Sequence, residues 1–316
     1  MQPDRFEIQT DDHRRLACMR VVPTVTPRAV VHIYHGMGEH KERYLPFMDF
    51  LAEHGYVAVA HDHRNHGQSV SDKSGPGLFT AMDTWDRVIH DAYLVIRSSR
   101  ELYPDLDICI LGHSMGSVIL RRVLFTYPDA ADKAVIMATV PPYTLTAGLF
   151  PLLLAKTVQL LTKESSRSPF LAQVLNKPLL KGFKHPRTPF DWLTHDTAVI
   201  DRYISDPLCG FAYTPRFYAA FVKGIINLHQ PGAIRQGRNI PLLFIEGAQD
   251  PVGNFGQGVK DVAACYEKAG FSRITLALVA DARHEVLNEH NHEKTYHTLL
   301  DWLEQQQPAP DGSKTS

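Results

Sequence analysis

The chain has 316 residues, 44% of them hydrophobic, with 33 lysines and arginines against 34 acidic residues and a formal net charge of −1. This length fits a single α/β domain that carries one insertion. A near-neutral chain without an arginine-rich arm predicts no nucleic-acid partner. Residues 1–5 lack the apolar core of a secretory signal, and no stretch reaches the roughly 18 uninterrupted apolar residues of a spanning helix. We therefore expect a cytoplasmic protein.

The first two strands are predicted at 6–10 and 16–22, as an antiparallel hairpin. Further strands are predicted at 29–34, 56–61, 107–111, 133–138, 240–246 and 274–279. Helices are predicted at 44–54, 82–102, 115–127, 258–269 and 286–306. Such alternation indicates βαβ units and a mainly parallel sheet.

Residues 141–238 interrupt this alternation, because they are rich in Leu, Phe and Pro and fall between the sixth and seventh predicted strands. The sequence predicts a core of residues 1–140 and 239–307 and a helical cap, or lid, at 141–238. The polar tail at 308–316 is predicted to be disordered.

The cap is basic and has an apolar first helix. Seven cations face the single acid Glu164 within 156–187: Lys156, Lys163, Arg167, Lys177, Lys181, Lys184 and Arg187. The apolar residues are Leu145, Leu149, Leu152, Leu153, Val158, Leu160 and Leu161. One interpretation is that these residues pack on the core and line an acyl pocket. The other is that a basic, apolar lid contacts lipid aggregates or an anionic membrane.

The four cysteines are scattered along the chain as Cys18, Cys109, Cys209 and Cys265. None forms a Cys-x-x-Cys pair, which indicates reduced thiols rather than a disulfide framework or a zinc site. Cys109 falls inside a predicted strand and is interpreted as a small core residue.

A candidate nucleophile stands where the fifth predicted strand meets a helix. The segment 112–116 reads GHSMG, in which Ser114 is flanked by two glycines. A serine hydroxyl becomes a nucleophile when it is exposed beside a base. A strained strand-to-helix turn, here called the elbow, provides such an exposed position. The glycines allow the strand and the helix to approach each other closely.

The acid and the base are predicted to follow Ser114 in the chain, in that order. Asp250 lies in the loop after the seventh predicted strand, and His284 lies in the loop after the eighth. Catalytic groups collect at this edge of an open parallel sheet. The rival acids are Glu246, which is expected still to be in its strand, and Asp281, which is too close along the chain to His284.

The oxyanion formed in such a reaction needs two backbone N–H donors, each contributing about 3 kcal/mol to the transition state. One candidate is the amide of Met115 at the start of the helix after Ser114. The other is the amide of Met37, in the glycine-containing loop after the third strand. The spacings of phosphate-binding glycine loops are absent.

Three segments carry a specific resemblance to a known family. They are 35–44 (HGMGEHKERY), 60–69 (AHDHRNHGQS) and 112–116 (GHSMG). Together they resemble the monoacylglycerol lipase and lysophospholipase branch of the α/β-hydrolases. The resemblance spans essentially the whole core and is weak in the cap.

This resemblance implies the α/β-hydrolase fold and a cofactor-free ester hydrolase for monoacylglycerols or related single-chain lipids, with Ser114, Asp250 and His284 as its triad. It also implies that Glu39 and Arg43 help to form a pocket for the glycerol headgroup. Leu287 stands where the animal enzyme has a second histidine, a departure that bears on glycerol specificity.

Several polar residues near these motifs admit two interpretations. His61, His63 and His66 form a cluster that invites a metal site, but Asp62 and Arg64 are better explained by structural hydrogen bonds, so no metal is predicted. His113 is interpreted as packing at the elbow, and the alternatives are a second base and a substrate-binding residue. The tryptophans Trp85, Trp192 and Trp302 are interpreted as core or cap aromatics.

Other activities stay open. A lysophospholipase would suit the basic lid, and a broad short-chain carboxylesterase would need the same triad. A ligand-binding relative without turnover is a further alternative. Epoxide or haloalkane hydrolysis is disfavoured because those relatives have Asp where this chain has Ser114. A proline aminopeptidase is possible within the fold but is disfavoured, because it would need carboxylates in the cap to hold the substrate ammonium and this cap is basic. Nothing in the sequence indicates an oligomeric state.

Overall fold

A computed structural model describes residues 2–70, 75–142, 145–230 and 232–306, with the backbone alone at 145–147. In these residues the strands are β1 (Asp4–Gln9), β2 (Arg15–Val21), β3 (Ala29–Tyr34), β4 (Tyr56–His61), β5 (Ile108–His113), β6 (Lys133–Met137), β7 (Leu242–Gly247) and β8 (Ile274–Val279). The α-helices are α1 (Leu45–Glu53), α2 (Trp85–Leu102), α3 (Met115–Thr126), α4 (Leu145–Leu161), α5 (Pro169–Asn176), α6 (Thr197–Ser205), α7 (Pro215–Leu228), α8 (Gln257–Ala269) and α9 (His292–Gln305). Short 3-10 helices cover Lys41–Tyr44, Lys177–Leu180 and Ile234–Gln236.

The described strands form one eight-stranded sheet in the order β1-β2-β4-β3-β5-β6-β7-β8. β1 pairs antiparallel with β2, and β2 pairs antiparallel with β4. All remaining pairs are parallel. The predicted α/β-hydrolase architecture, with its mainly parallel sheet and N-terminal hairpin, is therefore confirmed. The loops after β3, β5, β7 and β8 leave the sheet at one edge.

The central strands are mostly apolar because helices cover both faces of the sheet. Every residue of β3, β4, β5, β6 and β7 is buried. One face packs against α2, α3, α7 and α8, and the other packs against α1 and α9. Two histidines, His32 in β3 and His61 in β4, are buried among these apolar residues.

Most predicted elements lie within a few residues of their positions in the structure, but the last helix begins six residues after the predicted residue 286. Val286 and Leu287 are buried in the core. Their apolar side chains extended the helical pattern of the sequence toward the N-terminus, although they do not belong to the helix. The carboxylate of Glu289 accepts the backbone N–H groups of His195 at 3.0 Å and Arg283 at 2.7 Å. Glu289 thereby ties the segment to the loop that carries His284, so the helical prediction over 286–291 was wrong.

The segment at 141–238, which we call the cap, enters after β6 and returns to β7, and it contains α4 to α7. Its exact division from the core stays a prediction. The predicted tail at 308–316 lies outside the described residues. Among the helices that are described, none combines the length and the apolar character needed to span a membrane. The cytoplasmic location stays a prediction.

Candidate active site

Ser114 occupies the turn between β5 and α3, where the nucleophile was predicted. Its backbone has φ 53° and ψ −116°, a conformation that residues with side chains rarely adopt. Its amide N–H donates to the carbonyl of Met137 on β6 at 3.0 Å, which holds the strained turn against the sheet. The side chain is partly exposed and lines a cavity.

The two glycines of the turn are required because backbone atoms fill the space that a side chain would need. A Cβ atom on Gly116 would lie 2.1 Å from the carbonyl oxygen of Tyr34, at the end of β3. A Cβ atom on Gly112 would lie 2.5 Å from the carbonyl oxygen of Gly116. Neither oxygen can move aside without moving the sheet or the helix, so the close approach depends on glycine.

Asp250 and His284 are joined by a short buried hydrogen bond. Nδ1 of His284 lies 2.7 Å from Oδ2 of Asp250, and these residues are 2% and 0% exposed. The backbone N–H of Val252 donates to the other carboxylate oxygen at 2.8 Å. Because Nδ1 faces a carboxylate, the proton of a neutral imidazole belongs there and Nε2 is left as the base. His284 and Ser114 line the same cavity.

The rival acids are placed differently. Glu246 is fully buried in β7, and within the described residues neither of its carboxylate oxygens has a hydrogen-bond partner. Burial, and secondarily the charge of Asp250, raises the pKa of Glu246 to about 9, so it is a neutral acid at pH 7. Asp281 is exposed and accepts a 3.4 Å bond from Gln249. The geometry therefore favours Asp250 as the partner of His284.

The two predicted oxyanion donors come from different loops, the turn at Ser114 and the loop after β3. Met115 is the first residue of α3, where a backbone N–H has no partner inside the helix. Met37 lies in the loop after β3 and lines the cavity. Within the described residues, neither amide N–H donates to another protein atom. The neighbouring Gly36 and Gly38 amides, by contrast, donate to Glu39 and to the hydroxyl of Tyr213.

A buried ionic network links two loops. The oxyanion loop is the segment after β3 that carries Met37 and Glu39, and the histidine loop is the segment after β8 that carries His284. Arg43 donates two 2.7 Å hydrogen bonds to the carboxylate of Glu285, the residue after His284. The same guanidinium contacts the carboxylate of Glu39. Glu39 also accepts the hydroxyl of Tyr44 at 2.9 Å. Because each loop contributes one carboxylate to Arg43, the ion pairs hold both loops in one relative position.

His113 joins this network from the elbow. Its Nε2 faces the backbone carbonyl of His284 at 3.2 Å, and its Nδ1 faces Glu39 at 3.1 Å. Burial alone would lower the pKa of His113, but its hydrogen bond to Glu39 and the charges of Glu39 and Glu285 raise it above the ordinary value. Burial likewise opposes ionisation of Glu39, yet Arg43 and His113 hold the pKa of that carboxyl well below its usual range.

The cavity at this edge has a volume of about 190 Å³ and two chemically different ends. Its polar end is formed by Glu39, His113 and Glu285. Its apolar walls come largely from the cap and include Leu175, Leu179, Phe211, Phe221, Val222 and Ile225. Ser114 and His284 also line the cavity. A bound molecule could therefore contact these two residues, the charged polar end and the apolar walls at the same time.

Trp192 and Glu285 are among the lining residues that were not predicted as site residues. Trp192 was interpreted as an ordinary aromatic, but its ring centroid lies 5.1 Å from that of His284. Glu285 was not singled out as a site residue in the sequence, although its position next to His284 was the available signal. Arg43 was predicted to bind substrate, yet it does not line the cavity, and its guanidinium is bound to Glu39 and Glu285. Its substrate-binding role stays a prediction.

The histidine-rich segment after β4 is structural in its contacts. The Asp62 carboxylate accepts the ammonium and the backbone N–H of Lys41, each at 2.8 Å. Arg64 donates to Asp12 at 2.7 Å and to Asp91 at 2.7 Å. These are the structural hydrogen bonds that were expected of Asp62 and Arg64. Trp85 and Trp302 are buried in the core.

A mainly parallel sheet with a serine at the strained turn after β5, and with an acid–histidine pair after β7 and β8, defines an α/β-hydrolase. A family model described as Hydrolase_4, serine aminopeptidase, S33, matches residues 25–291. The chain belongs to this family, and it is a serine hydrolase.

Comparisons with characterised proteins agree with this assignment. The chain is 26% identical to a human protein named monoglyceride lipase, over 76% of this chain and 71% of the human one. It is 26% identical to a monoacylglycerol lipase of Mycolicibacterium smegmatis, over 89% and 90% of the two chains. A carboxyl esterase of Bacillus coagulans, solved with glycerol, superposes with a TM-score of 0.88 at 24% identity, covering 96% of this chain and 99% of that one. At that identity, the structural likeness establishes the fold alone.

Proposed function

We propose that the protein hydrolyses the ester bond of monoacylglycerols and related single-chain lipids. The observation that carries this proposal is the cavity, whose lining places Ser114 and His284 among both charged polar groups and apolar cap residues. A lipid with one acyl chain and a small polar headgroup has the same two-part chemistry. The names of the human and mycobacterial relatives support the same substrate class.

The proposed reaction uses the Ser114–His284–Asp250 triad in two steps. His284 Nε2 takes the proton of the Ser114 hydroxyl while Oγ attacks the ester carbonyl carbon, and the amides of Met37 and Met115 stabilise the resulting oxyanion. The C–O bond to the alcohol then breaks, and His284 returns the proton to the leaving oxygen. Water, deprotonated by the same imidazole, cleaves the acyl-enzyme to a fatty acid. Asp250 holds the imidazole tautomer and stabilises its charged form.

The polar end of the cavity favours a neutral polyol headgroup over a phosphate. Two of its lining groups, Glu39 and Glu285, are carboxylates, and both are engaged by Arg43. Because Arg43 does not line the cavity and its guanidinium is bound to both carboxylates, a phosphate entering this end would meet the carboxylates, which repel it. Hydroxyl groups can donate to these oxygens without repulsion. We therefore place monoacylglycerols ahead of lysophospholipids.

The exterior of the cap supports a peripheral contact with lipid. Apolar side chains on and beside α4 are exposed to solvent: Leu149 40%, Phe150 72%, Leu153 58%, Leu160 87%, Leu161 80% and Phe170 55%. Exposed lysines lie in the same part of the chain: Lys156, Lys163, Lys177, Lys181 and Lys184. Apolar insertion together with attraction to anionic headgroups is how peripheral proteins hold a membrane surface.

An activity panel tests the proposed chemistry. We expect monoacylglycerols to be cleaved with higher kcat/KM than lysophospholipids, short p-nitrophenyl esters or aminoacyl p-nitroanilides.

Ser114→Ala should lose all turnover and labelling by a fluorophosphonate probe while remaining folded, because it removes one hydroxyl at a turn. Preference for the anilides would favour an aminopeptidase, and preference for lysophospholipids would contradict the headgroup argument. Absence of both turnover and labelling in the wild-type protein would favour a ligand-binding relative.

A further inference from the structure

Three side chains of different chemistry meet where the cap contacts the oxyanion loop. They are His40, which ends the loop after β3, and Asp206 and Cys209, which follow α6. The imidazole nitrogen, a carboxylate oxygen and the thiol sulfur all lie within 4.8 Å of one another. Nε2 of His40 is 2.8 Å from Oδ2 of Asp206. His40 and Asp206 are 166 residues apart in the chain, so no sequence motif indicated that they meet.

The turn after α6 presents its two donors on the same side. Its backbone is closed by a hydrogen bond from the Cys209 N–H to the Asp206 carbonyl at 3.0 Å. The N–H of Leu208 binds Oδ1 of Asp206 at 2.8 Å, so Oδ2 is the oxygen directed at His40. The turn is fastened to the oxyanion loop by a bond from the Gly210 N–H to the Gly38 carbonyl at 2.9 Å. Backbone hydrogen bonds therefore help to fix the positions of Asp206 and Cys209 relative to the oxyanion loop.

The group is reachable by an ion from solvent, because two of its side chains are buried and the third is partly exposed. His40 and Cys209 are 7% and 8% exposed, whereas the side chain of Asp206 is 32% exposed. Imidazole, carboxylate and thiolate together are a ligand set that Zn²⁺ prefers. Tetrahedral Zn²⁺ needs its ligand atoms about 3.5 Å apart, given bonds of about 2.0–2.3 Å. To reach that spacing, His40 and Asp206 would move apart from 2.8 Å, and the sulfur of Cys209, which lies within 4.8 Å of both, would need only a small adjustment.

The surrounding charges also favour a cation. The nearby positive charge is Arg43, whose guanidinium contacts the carboxylates of both Glu39 and Glu285. Asp206 also interacts with this guanidinium, so one Arg43 is shared by three carboxylates. Burial raises the pKa of the Cys209 thiol well above its ordinary value. A bound cation would therefore have to displace the thiol proton.

We infer that His40, Asp206 and Cys209 form a binding site for Zn²⁺ that braces the cap against the oxyanion loop. Binding forms three bonds to the ion, with water at its remaining position. The thiol releases one proton to solvent, and the proton on His40 Nε2 moves to Nδ1, so each bound ion releases one proton in total. Affinity consequently rises with pH. The inference concerns a second site and does not depend on the ester chemistry.

Titration of the untagged full-length protein with Zn²⁺ and Co²⁺ tests the site. We expect about one equivalent of Zn²⁺ to bind and to raise the melting temperature. Co²⁺ should give a thiolate-to-metal charge-transfer band. Cys209→Ser should lose that band and weaken binding by at least about tenfold. Cys265→Ser, which changes a half-buried cysteine away from the group, should retain both properties.

A second variant keeps the test decisive. If Cys209→Ser does not fold, as judged by circular dichroism, Asp206→Asn should still show the loss of affinity. The inference is overturned if no ion binds at stoichiometric concentration. It is equally overturned if binding and the cobalt band survive Cys209→Ser, or if Asp206→Asn binds Zn²⁺ as tightly as the wild-type protein.

Discussion

Asp250 and Glu246 show how strongly position controls the chemistry of one functional group. Both carboxyl groups are fully buried, and they lie four residues apart at the end of β7. Asp250 is bound by His284 and by the backbone N–H of Val252, which stabilise its charge. Glu246 has no such partner among the described residues, and burial keeps it neutral at pH 7. This difference favours Asp250 over Glu246 as the charged partner of an imidazolium.

Exchanging each carboxyl group for an amide tests this assignment. Asp250→Asn should lower kcat by about 10³ to 10⁴, because the amide favours the wrong tautomer of His284. Glu246→Gln is the matched control and should change kcat only slightly. Rates with a soluble short-chain ester, measured on folded variants, provide the comparison. The reverse order of effects would transfer the role to Glu246.

Glu246 should also make stability depend on pH. Its pKa is raised to about 9 in the folded protein, above the ordinary value of 4.5. From about pH 4.5 to 9 the unfolded chain loses this proton first, so the free energy of unfolding should fall by up to about 1.4 kcal/mol per pH unit. Glu246→Gln should remove that slope, which urea unfolding at pH 5, 7 and 9 measures.

A surface change provides the control for this slope. Glu267 is exposed on α8, and Glu267→Gln should leave the pH dependence as in the wild-type protein. A Glu246→Gln variant whose stability falls just as steeply between pH 5 and 9 would show that Glu246 ionises normally in the folded state.

At the scale of elements, the cap helices face two environments. Cap residues such as Phe221 on α7 and Leu175 on α5 line the active-site cavity, while Phe150 and Leu153 on α4 point into solvent. Both interpretations of the leucine-rich cap sequence therefore have a structural counterpart. Inward-facing residues suit an acyl pocket, and outward-facing ones suit a lipid surface.

Charge reversal separates surface binding from chemistry. Lys177→Glu, Lys181→Glu and Lys184→Glu together should weaken binding to anionic vesicles by about 1 kcal/mol per residue. Hydrolysis of a soluble short-chain ester should remain unchanged, because these exposed lysines lie outside the cavity lining. Vesicle co-sedimentation at low and high salt measures the effect, and added salt should erase it.

The matched control reverses three exposed lysines far along the chain from the cap: Lys260, Lys268 and Lys294. We expect this variant to bind vesicles almost as the wild-type protein does. Equal weakening by both triple variants would mean that net charge alone governs the contact. Unchanged binding by the cap variant at low salt would mean that the cap is only an acyl pocket.

For the whole molecule, the cluster of buried histidines predicts sensitivity to acid. Burial lowers the pKa of His32 to about 3, of His61 to about 3 and of His66 to about 4. His35 and His63 are also shifted well below the ordinary value of 6.5 by burial. The folded protein keeps these rings neutral, while the unfolded chain takes up protons as the pH falls below about 6.5.

Each such histidine should remove up to about 1.4 kcal/mol of unfolding free energy per pH unit below pH 6.5. His32→Leu should make the loss shallower by one histidine, because both ring nitrogens of His32 are without a partner in the described residues. Denaturant unfolding between pH 4 and 7 measures the slope. His297→Gln, at an exposed position, is the control and should leave the slope intact. Identical slopes for wild type and His32→Leu would contradict the prediction.

Local sequence determined the framework of this protein. The strands at 29–34, 56–61 and 274–279 could be predicted to the residue because helices bury both of their faces or turns bound them sharply. The elbow at Ser114 and the loops of Asp250 and His284 were likewise readable. Gly112 and Gly116 mark the elbow in the sequence, and the two loops are marked by the ends of predicted parallel strands.

Tertiary structure alone decided which distant residues meet. Arg43 and Glu285 are 242 positions apart, and the fold brings them together as a buried ion pair. The ring of Trp192 reaches His284, and Cys209 reaches His40, through the path of the cap. Sequence patterns record the burial and backbone preferences of each segment, but contacts between segments depend on how the cap packs. Helix periodicity and charge do not specify that packing.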